Sequence, residues 1–115
     1  MHEYSIIQAL MQRVEAEARA HGASTVGRIR IALGELSGVD PELLASAYEV
    51  FRERSICAGA GMEIRAVPAV WECSSCRRPL ARGERLRCPD CQSPARLASG
   101  DEIVLEQIEM EVADV

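Results

Sequence analysis

The sequence of 115 residues contains no lysine, 3 % aromatic residues and two histidines. All 13 basic residues are arginine. No apolar run approaches the ~18 residues that a membrane-spanning helix needs. Residues 1–4 lack the basic start and apolar block of a secretory signal. These absences exclude a helical membrane span and predict a cytoplasmic protein, in which cysteines stay reduced and cysteine clusters usually bind metal.

The sequence also lacks a recognisable catalytic set. It shows no Ser/His/Asp arrangement, no glycine-rich loop for phosphate and no pair of catalytic carboxylates. Two histidines are too few to supply a hydrolytic metal centre well. We therefore expect a carrier or an interaction module rather than an enzyme.

Charge divides the chain into three parts. Residues 1–70 carry nine acidic residues and seven arginines, residues 71–98 carry three and six, and residues 99–115 carry six acidic residues and no base. Four of the five cysteines fall in the arginine-rich middle part. The net charge of −5 argues against nonspecific coating of nucleic acid or anionic membrane.

Hydrophobic spacing predicts two helices and three strands. Apolar residues at helical spacing predict a first helix from Tyr4 to about Ala20. Asp40 before Pro41 predicts a second helix that ends near Arg54, with Asp40 as its N-cap. Alternating apolar and polar residues predict strands over 26–34, 62–67 and 102–112.

These elements predict an α+β fold in which two helices pack on a small three-stranded sheet. The cysteine block lies between the last two strands. A strand enters it at Val70–Trp71 and another leaves it after Ser99–Gly100, and if these two strands pair, the cysteine block is a separate subdomain at the end of the sheet. The predicted organisation is one domain of residues 1–70 plus 100–115, with an inserted subdomain of residues 71–99.

The cysteine block predicts a metal site with four thiolate ligands. Cys73 and Cys76 form one CxxC pair, Cys88 and Cys91 form another, and eleven residues separate the pairs. Two such pairs complete a tetrahedral site that favours zinc. Residues 71–98 contain no histidine, so we expect a structural site with no open position for catalysis.

The same ligands leave other interpretations open. Iron at the four cysteines would make a small redox protein, and two disulfides would suit an oxidising compartment. Five arginines, Arg77, Arg78, Arg82, Arg85 and Arg87, offset the charge of about −2 on a zinc tetrathiolate. They could also contact RNA or DNA, but the block lacks interleaved aromatic residues, so nucleic acid is an unlikely partner.

The N-terminus offers a second metal site. The α-amine of Met1, the amide nitrogen and imidazole of His2, and the amide nitrogen of Glu3 could chelate one ion in fused rings. Nitrogen ligands in a plane suit Ni(II) or Cu(II). Asp40 is accounted for as an N-cap and Cys57 as a small buried apolar residue, without any further function.

The start Met1–His2–Glu3, the Gly34–Glu35–Leu36 segment, Asp40–Pro41 and the paired CxxC motifs together resemble the HypA/HybF family. These proteins are nickel metallochaperones for the maturation of [NiFe]-hydrogenase and, in some bacteria, of urease. The resemblance covers essentially the whole chain in the same order.

The resemblance implies a nickel-binding α+β domain and a zinc-ribbon domain. It implies that His2 and the amino terminus carry Ni(II), that Glu3 and Asp40 act beside the site in transfer or partner contact, and that the four cysteines hold a structural Zn(II). The implied partners are a nickel-binding maturation GTPase and the hydrogenase large-subunit precursor.

The chain departs from the family pattern beside the cysteines. Some members carry histidines there that tie zinc coordination to pH, whereas Arg77 follows Cys76 and Gln92 follows Cys91. His2, with an unperturbed pKa of ~6.5, is then the remaining group that senses pH. We therefore expect nickel to be released as the pH falls through neutrality.

Overall fold

The computed structural model describes residues 2–80 and 86–112, with only the backbone of His2. Two helices and six strands follow in the order α1 (His2–Ala20), β1 (Ala23–Gly34), α2 (Pro41–Arg52), β2 (Gly61–Val67), β3 (Val70–Cys73), β4 (Pro79–Leu80), β5 (Ala95–Ser99) and β6 (Ile103–Val112). The predicted α+β class is confirmed. Both predicted helices and all three predicted strands are present, with bounds within three residues of those expected.

One three-stranded sheet has the strand order β2–β1–β6. Its central strand is the most buried, because Ile29 and Ile31 are fully inaccessible. The helices supply matching apolar faces, formed by Ile7, Met11, Val14 and Ala18 on α1 and by Leu44, Ala47 and Tyr48 on α2. The spacing of these residues is the helical periodicity visible in the sequence.

Hydrogen bonds cap the start of α2 and connect its C-terminal half to the segment that follows. Asp40 caps the first turn, since its Oδ1 accepts from the N–H groups of Glu42 at 2.9 Å and Leu43 at 3.3 Å. Beyond the helix, the Tyr48 hydroxyl donates to the carbonyl of Ala60 at 2.8 Å. Cys57 lies in the intervening segment and is fully buried, in agreement with its interpretation as a small apolar residue.

The second sheet has the order β4–β3–β5, and it decides which strand pairs with the one that enters the cysteine block. The strand that enters the cysteine block does not pair with the strand that leaves after Gly100. Instead β3 pairs antiparallel with β5, with Trp71 opposite Leu97 and Cys73 opposite Ala95. The leaving strand, β6, pairs with β1 in the first sheet, so the cysteine block has a sheet of its own.

The chain divides into two compact units. The first contains residues up to 32, residues 39–65 and residues from 104 onward, and the second contains Leu33–Gly38 and Ala66–Ile103. Each unit holds one of the two candidate metal sites.

Two glycines allow chain segments of the second unit to approach closely. A Cβ on Gly34 would lie 2.3 Å from the carbonyl oxygen of Gly100, and a Cβ on Gly100 would lie 2.6 Å from Cα of Ala69. Gly100 also has φ +104°, which L side chains rarely adopt. Glu35 secures the crossing, because its Oε1 accepts from the N–H of Ala69 at 2.8 Å.

Candidate metal centre

The second unit gathers all four cysteines of the CxxC pairs at one point. Their Sγ atoms all lie within 4.8 Å of one another. Three separations are 3.2 Å for Cys73–Cys91, 3.8 Å for Cys76–Cys88 and 4.0 Å for Cys76–Cys91. A tetrahedral zinc with Zn–S bonds of ~2.3 Å places its sulfurs about 3.8 Å apart. The four thiols therefore fit a zinc ion, and all are free of disulfides.

Each cysteine pair lies in a tight turn of the same design. In the first, Cys73 N–H donates to Arg78 O at 2.9 Å and Arg77 N–H donates to Cys73 O at 3.1 Å. The second repeats these bonds from Cys88 to Ser93 and from Gln92 to Cys88, at 2.9 and 3.0 Å. The backbone turns through the left-handed region at φ 62° and 63° at the two residues that directly follow the CxxC motifs, Arg77 and Gln92.

The turns also direct backbone donors at sulfur. The N–H groups of Ser75 and Cys76 both point to Cys73 Sγ at 3.4 Å. Donors of this kind stabilise a thiolate, whether free or bound to metal. Hydrogen bonds from the side chain and backbone of Ser93 likewise lower the pKa of Cys91 to about 6.

The cluster has a buried side and an exposed side. Cys73 and Cys88 are fully buried and pack with Leu80, Trp71 and Ala95, whereas Cys76 and Cys91 are exposed. Trp71, the only tryptophan of the chain, thus lies against the cysteine cluster. With so few apolar residues, this small core is weak without a metal.

Three of the four described arginines of this unit form hydrogen bonds or ion pairs within it. Arg78 pairs with Asp90 at 2.6 Å, Arg96 with Glu72 at 2.6 Å, and Arg87 donates to the carbonyl of Gln92 at 3.0 Å. Arg82 and Arg85 lie outside the described residues. The described partners of Arg78 and Arg96 are carboxylates of the same unit, and the role of the arginines in offsetting thiolate charge stays a prediction.

The first unit brings Glu3 and Asp40 together. Glu3 is 7 % exposed, and its Oε2 accepts from the backbone N–H of Asp40 at 3.3 Å. Hydrogen bonds from its own amide and from the Asp40 amide lower the pKa of the Glu3 carboxyl. The first turn of α1 thereby joins the start of α2. Met1 and the His2 side chain lie outside the described residues.

The described backbone of the N-terminal segment lies in the first turn of α1. Because α1 begins at His2, the amides of His2 and Glu3 belong to its first turn. The first four N–H groups of a helix have no carbonyl partner within it. Using these nitrogens as metal ligands would break no N–H to C=O bond within the helix, but it would replace the hydrogen bond from the Glu3 amide to the Glu3 carboxyl. Within the described ranges, the four cysteines are the one cluster of three or more metal-binding side chains.

Residues 1–110 match the family described as "Hydrogenase/urease nickel incorporation, metallochaperone, hypA". The chain belongs to the HypA family. Two similar curated proteins are both named hydrogenase maturation factor HypA. The one from Shewanella halifaxensis is 42 % identical over 98 % of this chain and 100 % of its own, and the one from Wolinella succinogenes is 41 % identical over 99 % and 98 %.

Solved HypA structures share the fold. The solution structure of the nickel metallochaperone HypA from Helicobacter pylori has a TM-score of 0.74 at 30 % identity, covering 96 % of this chain and 98 % of its own. A second structure, titled "Solution structure of HypA protein", has a TM-score of 0.80 at 31 % identity and covers 98 % of both chains.

Membership of the HypA family confirms the resemblance seen in the sequence. HypA proteins are metallochaperones for nickel incorporation and are not enzymes, which agrees with the missing catalytic set. None of the described helices combines the length and apolar character needed to cross a membrane.

Proposed function

We propose that this protein binds Ni(II) at its N-terminus and delivers it for [NiFe]-hydrogenase maturation, and in some settings for urease. The family supports nickel as the cargo and hydrogenase as the destination. The observation that supports the N-terminal assignment is the start of α1 at His2, which places the amide nitrogens of His2 and Glu3 in the first helical turn, outside the helix's own N–H to C=O ladder.

The proposed nickel ligands are the Met1 amine, the amide nitrogen and imidazole of His2, and the amide nitrogen of Glu3. Four nitrogens in a plane match the square-planar preference of Ni(II). Glu3 and Asp40 support the site rather than ligate the ion. The Glu3 carboxylate anchors the first turn of α1 to the Asp40 amide, and the Asp40 carboxylate stays beside the site for transfer or partner contact.

For the cysteine cluster we propose structural zinc, held by Cys73, Cys76, Cys88 and Cys91. Bound zinc supplies folding energy through four metal–sulfur bonds, and a closed tetrathiolate offers no position to a substrate. In this proposal residues 71–99 form a zinc-ribbon domain, and residues 1–70 plus 100–115 form the nickel-binding domain.

The proposed partners are a nickel-binding maturation GTPase, which supplies the ion, and the hydrogenase large-subunit precursor, which receives it. Hydrogenase-related partners follow from the family's role in nickel incorporation. The proposed location is the cytoplasm, where a reducing environment keeps the four clustered cysteines available as thiolates.

Equilibrium dialysis against Ni(II) tests the N-terminal site. Zinc-loaded protein with its native, untagged N-terminus is compared with His2→Ala and with His21→Ala. His21 is the matched control, because its Nδ1 is engaged with the Glu17 carbonyl at 2.8 Å near the end of α1.

Near-stoichiometric nickel on the native chain and on His21→Ala, but not on His2→Ala, would support the proposal. Equal binding by all three, or binding by none, would refute the N-terminal assignment.

A further inference from the structure

Strand β6 is an edge strand of the first sheet. Its charged residues, Glu106, Glu109 and Glu111, are all acidic. In the order β2–β1–β6 it has β1 on one side, and no described strand lies on the other. Ten residues long, it spans Ile103–Val112. Residues 99–112 contain five acidic residues and no basic residue. The opposite edge strand, β2, carries one acidic and one basic residue, Glu63 and Arg65.

Two contacts show which backbone groups of β6 face β1. The carbonyl oxygen of Glu111 accepts from Ser24 Oγ at 3.3 Å. The carbonyl oxygen of Glu109 lies 4.0 Å from the position a Cβ on Gly27 would take. Because backbone groups alternate between the two sides of a strand, the N–H and C=O groups of Ile108 and Met110 face the open side.

A cleft runs along this strand beside α1. Its volume is about 290 Å³. Arg13 and Glu17 of α1 line one wall, and Leu105, Glu106, Gln107, Ile108 and Met110 line the other. Leu105, Ile108 and Met110 are only half-buried, in contrast to the fully buried apolar residues of β1. The cleft therefore leaves apolar side chains of β6 incompletely covered.

We propose that the free edge of β6 is a docking site for an extended segment of another protein, which adds to the sheet as a fourth strand. Its side chains alternate between basic and apolar. Main-chain hydrogen bonds to Ile108 and Met110 hold the segment, and its apolar residues cover the half-buried face. Its basic residues lie beside Glu109 and Glu111 of β6, since opposite charges on neighbouring strands attract and Glu106 is already paired with Arg65. The site does not depend on nickel binding.

Charge also decides between this occupant and a second copy of the chain. Two β6 strands pairing edge to edge would bring Glu109 and Glu111 of both copies close together, whereas Glu106 is paired with Arg65. Like charges on paired strands are destabilising, and charged side chains are a common means of preventing edge-to-edge association. The acidic residues of β6 therefore disfavour pairing with β6 of a second copy and favour a segment that carries basic residues.

The test uses a fluorescein-labelled peptide of ten residues that alternates lysine and valine. Fluorescence anisotropy with the full-length, zinc-loaded protein measures binding, and amide hydrogen exchange locates it. We expect protection of the Ile108 and Met110 amides on peptide addition. A peptide alternating glutamate and valine should not bind.

A third peptide separates strand addition from simple charge attraction. It keeps the lysine–valine sequence but is N-methylated at every residue, which removes the N–H donors along both edges without changing charge. Any of three results would overturn the proposal. They are equal binding of the methylated peptide, protection confined to residues outside β6, and no binding of the unmethylated peptide. Concentration-dependent protection of β6 in protein alone would also overturn it, because that result would identify a second copy as the occupant.

Variants of the protein test the same edge from the other side. Met110→Pro removes one outward N–H, a change that edge strands tolerate, and should abolish peptide binding, while Met110→Val should retain it. Glu109→Lys should weaken binding roughly fivefold or more, whereas Glu53→Lys, the same charge change at an exposed position after α2, should not. Unchanged binding by Met110→Pro would contradict strand addition.

Discussion

Asp40 combines a structural cap with a negative charge, and substitution separates the two. Asp40→Ala removes the acceptor for the amides of Glu42 and Leu43 and should lower the free energy of unfolding by about 1 kcal/mol. Asp40→Asn keeps an oxygen acceptor and should change stability by only a few tenths of that. Urea unfolding followed by far-UV circular dichroism measures both.

The same pair of variants addresses function. If the Asp40 charge takes part in nickel transfer, Asp40→Asn will be stable yet defective in transfer to an acceptor. A transfer rate for Asp40→Asn equal to that of the unchanged protein would reduce Asp40 to a cap.

His2 makes nickel binding sensitive to pH. With an unperturbed pKa of ~6.5, its imidazole gains a proton as the pH falls toward 6, and protons also compete for the amine and amide nitrogens. We therefore expect the affinity for Ni(II) to fall from pH 8 to pH 6 while zinc stays bound. Isothermal titration at several pH values, with parallel zinc analysis, measures this. A flat nickel affinity over that range would contradict the proposed ligand set.

The crossing at Gly34 and Gly100 joins elements that lie far apart in sequence. Gly100→Ala introduces a Cβ 2.6 Å from Cα of Ala69 at a residue with φ +104°. Backbone strain and overpacking together should cost about 2–5 kcal/mol. Gly59→Ala is the control, because a Cβ there meets nothing within 4 Å.

Trp71 belongs to the same unit as Gly100, so its fluorescence during denaturant unfolding reports the effect. Equal stability of Gly100→Ala and Gly59→Ala would show that the crossing relaxes without cost.

An ion pair on the first sheet should make stability depend on pH. Arg65 donates twice to Glu106, at 3.0 and 2.7 Å, and this contact lowers the pKa of the Glu106 carboxyl. The pKa of this carboxyl is lower in the folded protein than its ordinary value of 4.5, so the ion pair adds stability above pH 4.5. This contribution is lost as the pH falls through the folded-state pKa.

Glu106→Gln should therefore be less stable than the unchanged protein at pH 7, with the difference vanishing in acid once the pH has fallen through the lowered pKa of the Glu106 carboxyl. Thermal unfolding at both pH values tests this, with Glu53→Gln as the control for loss of one negative charge. A difference that persists unchanged in acid would assign it to packing rather than to the ion pair.

At the level of elements, periodicity predicted the first sheet and both helices because each has one strongly apolar face. It did not predict β4 and β5 or their pairing with β3. β4 has only two residues. In β5 the alternate residues Ala95 and Leu97 are only partly buried, so neither strand shows a clear alternation of apolar and polar residues. Phe51 continues the helical spacing of the buried residues of α2, yet it is 36 % exposed and its ring centroid lies 5.7 Å from that of Tyr4.

Across the molecule, the clustering of the four cysteines was predictable and the N-terminal neighbourhood only partly so. Spacing alone identifies four cysteine ligands, because CxxC geometry is local. The hydrogen bond between Glu3 and Asp40 joins residues 37 positions apart, and no periodic pattern encodes such a contact. The left-handed turns at Arg77 and Gln92 were also missed, since neither residue is a glycine that would mark a positive φ.

The two units should respond differently to loss of metal. The second unit has a small core of Cys73, Leu80 and Cys88 packed with Trp71 and Ala95, and two of these five residues are zinc ligands in the proposed site. The first unit has the larger apolar core of α1, α2 and β1. Chelation of zinc should therefore unfold the second unit and leave the first folded.

Trp71 fluorescence and amide exchange read the two units separately. After removal of zinc, we expect a red shift of Trp71 emission and loss of protection in β3 and β5, with protection in α1 and β1 retained. Cys57→Ser is the matched control, because Cys57 is a buried cysteine outside the cluster and its variant should still lose structure only on chelation. Retained protection of β3 and β5 without metal would show that this small core folds on its own, and the proposed zinc would then have no structural role.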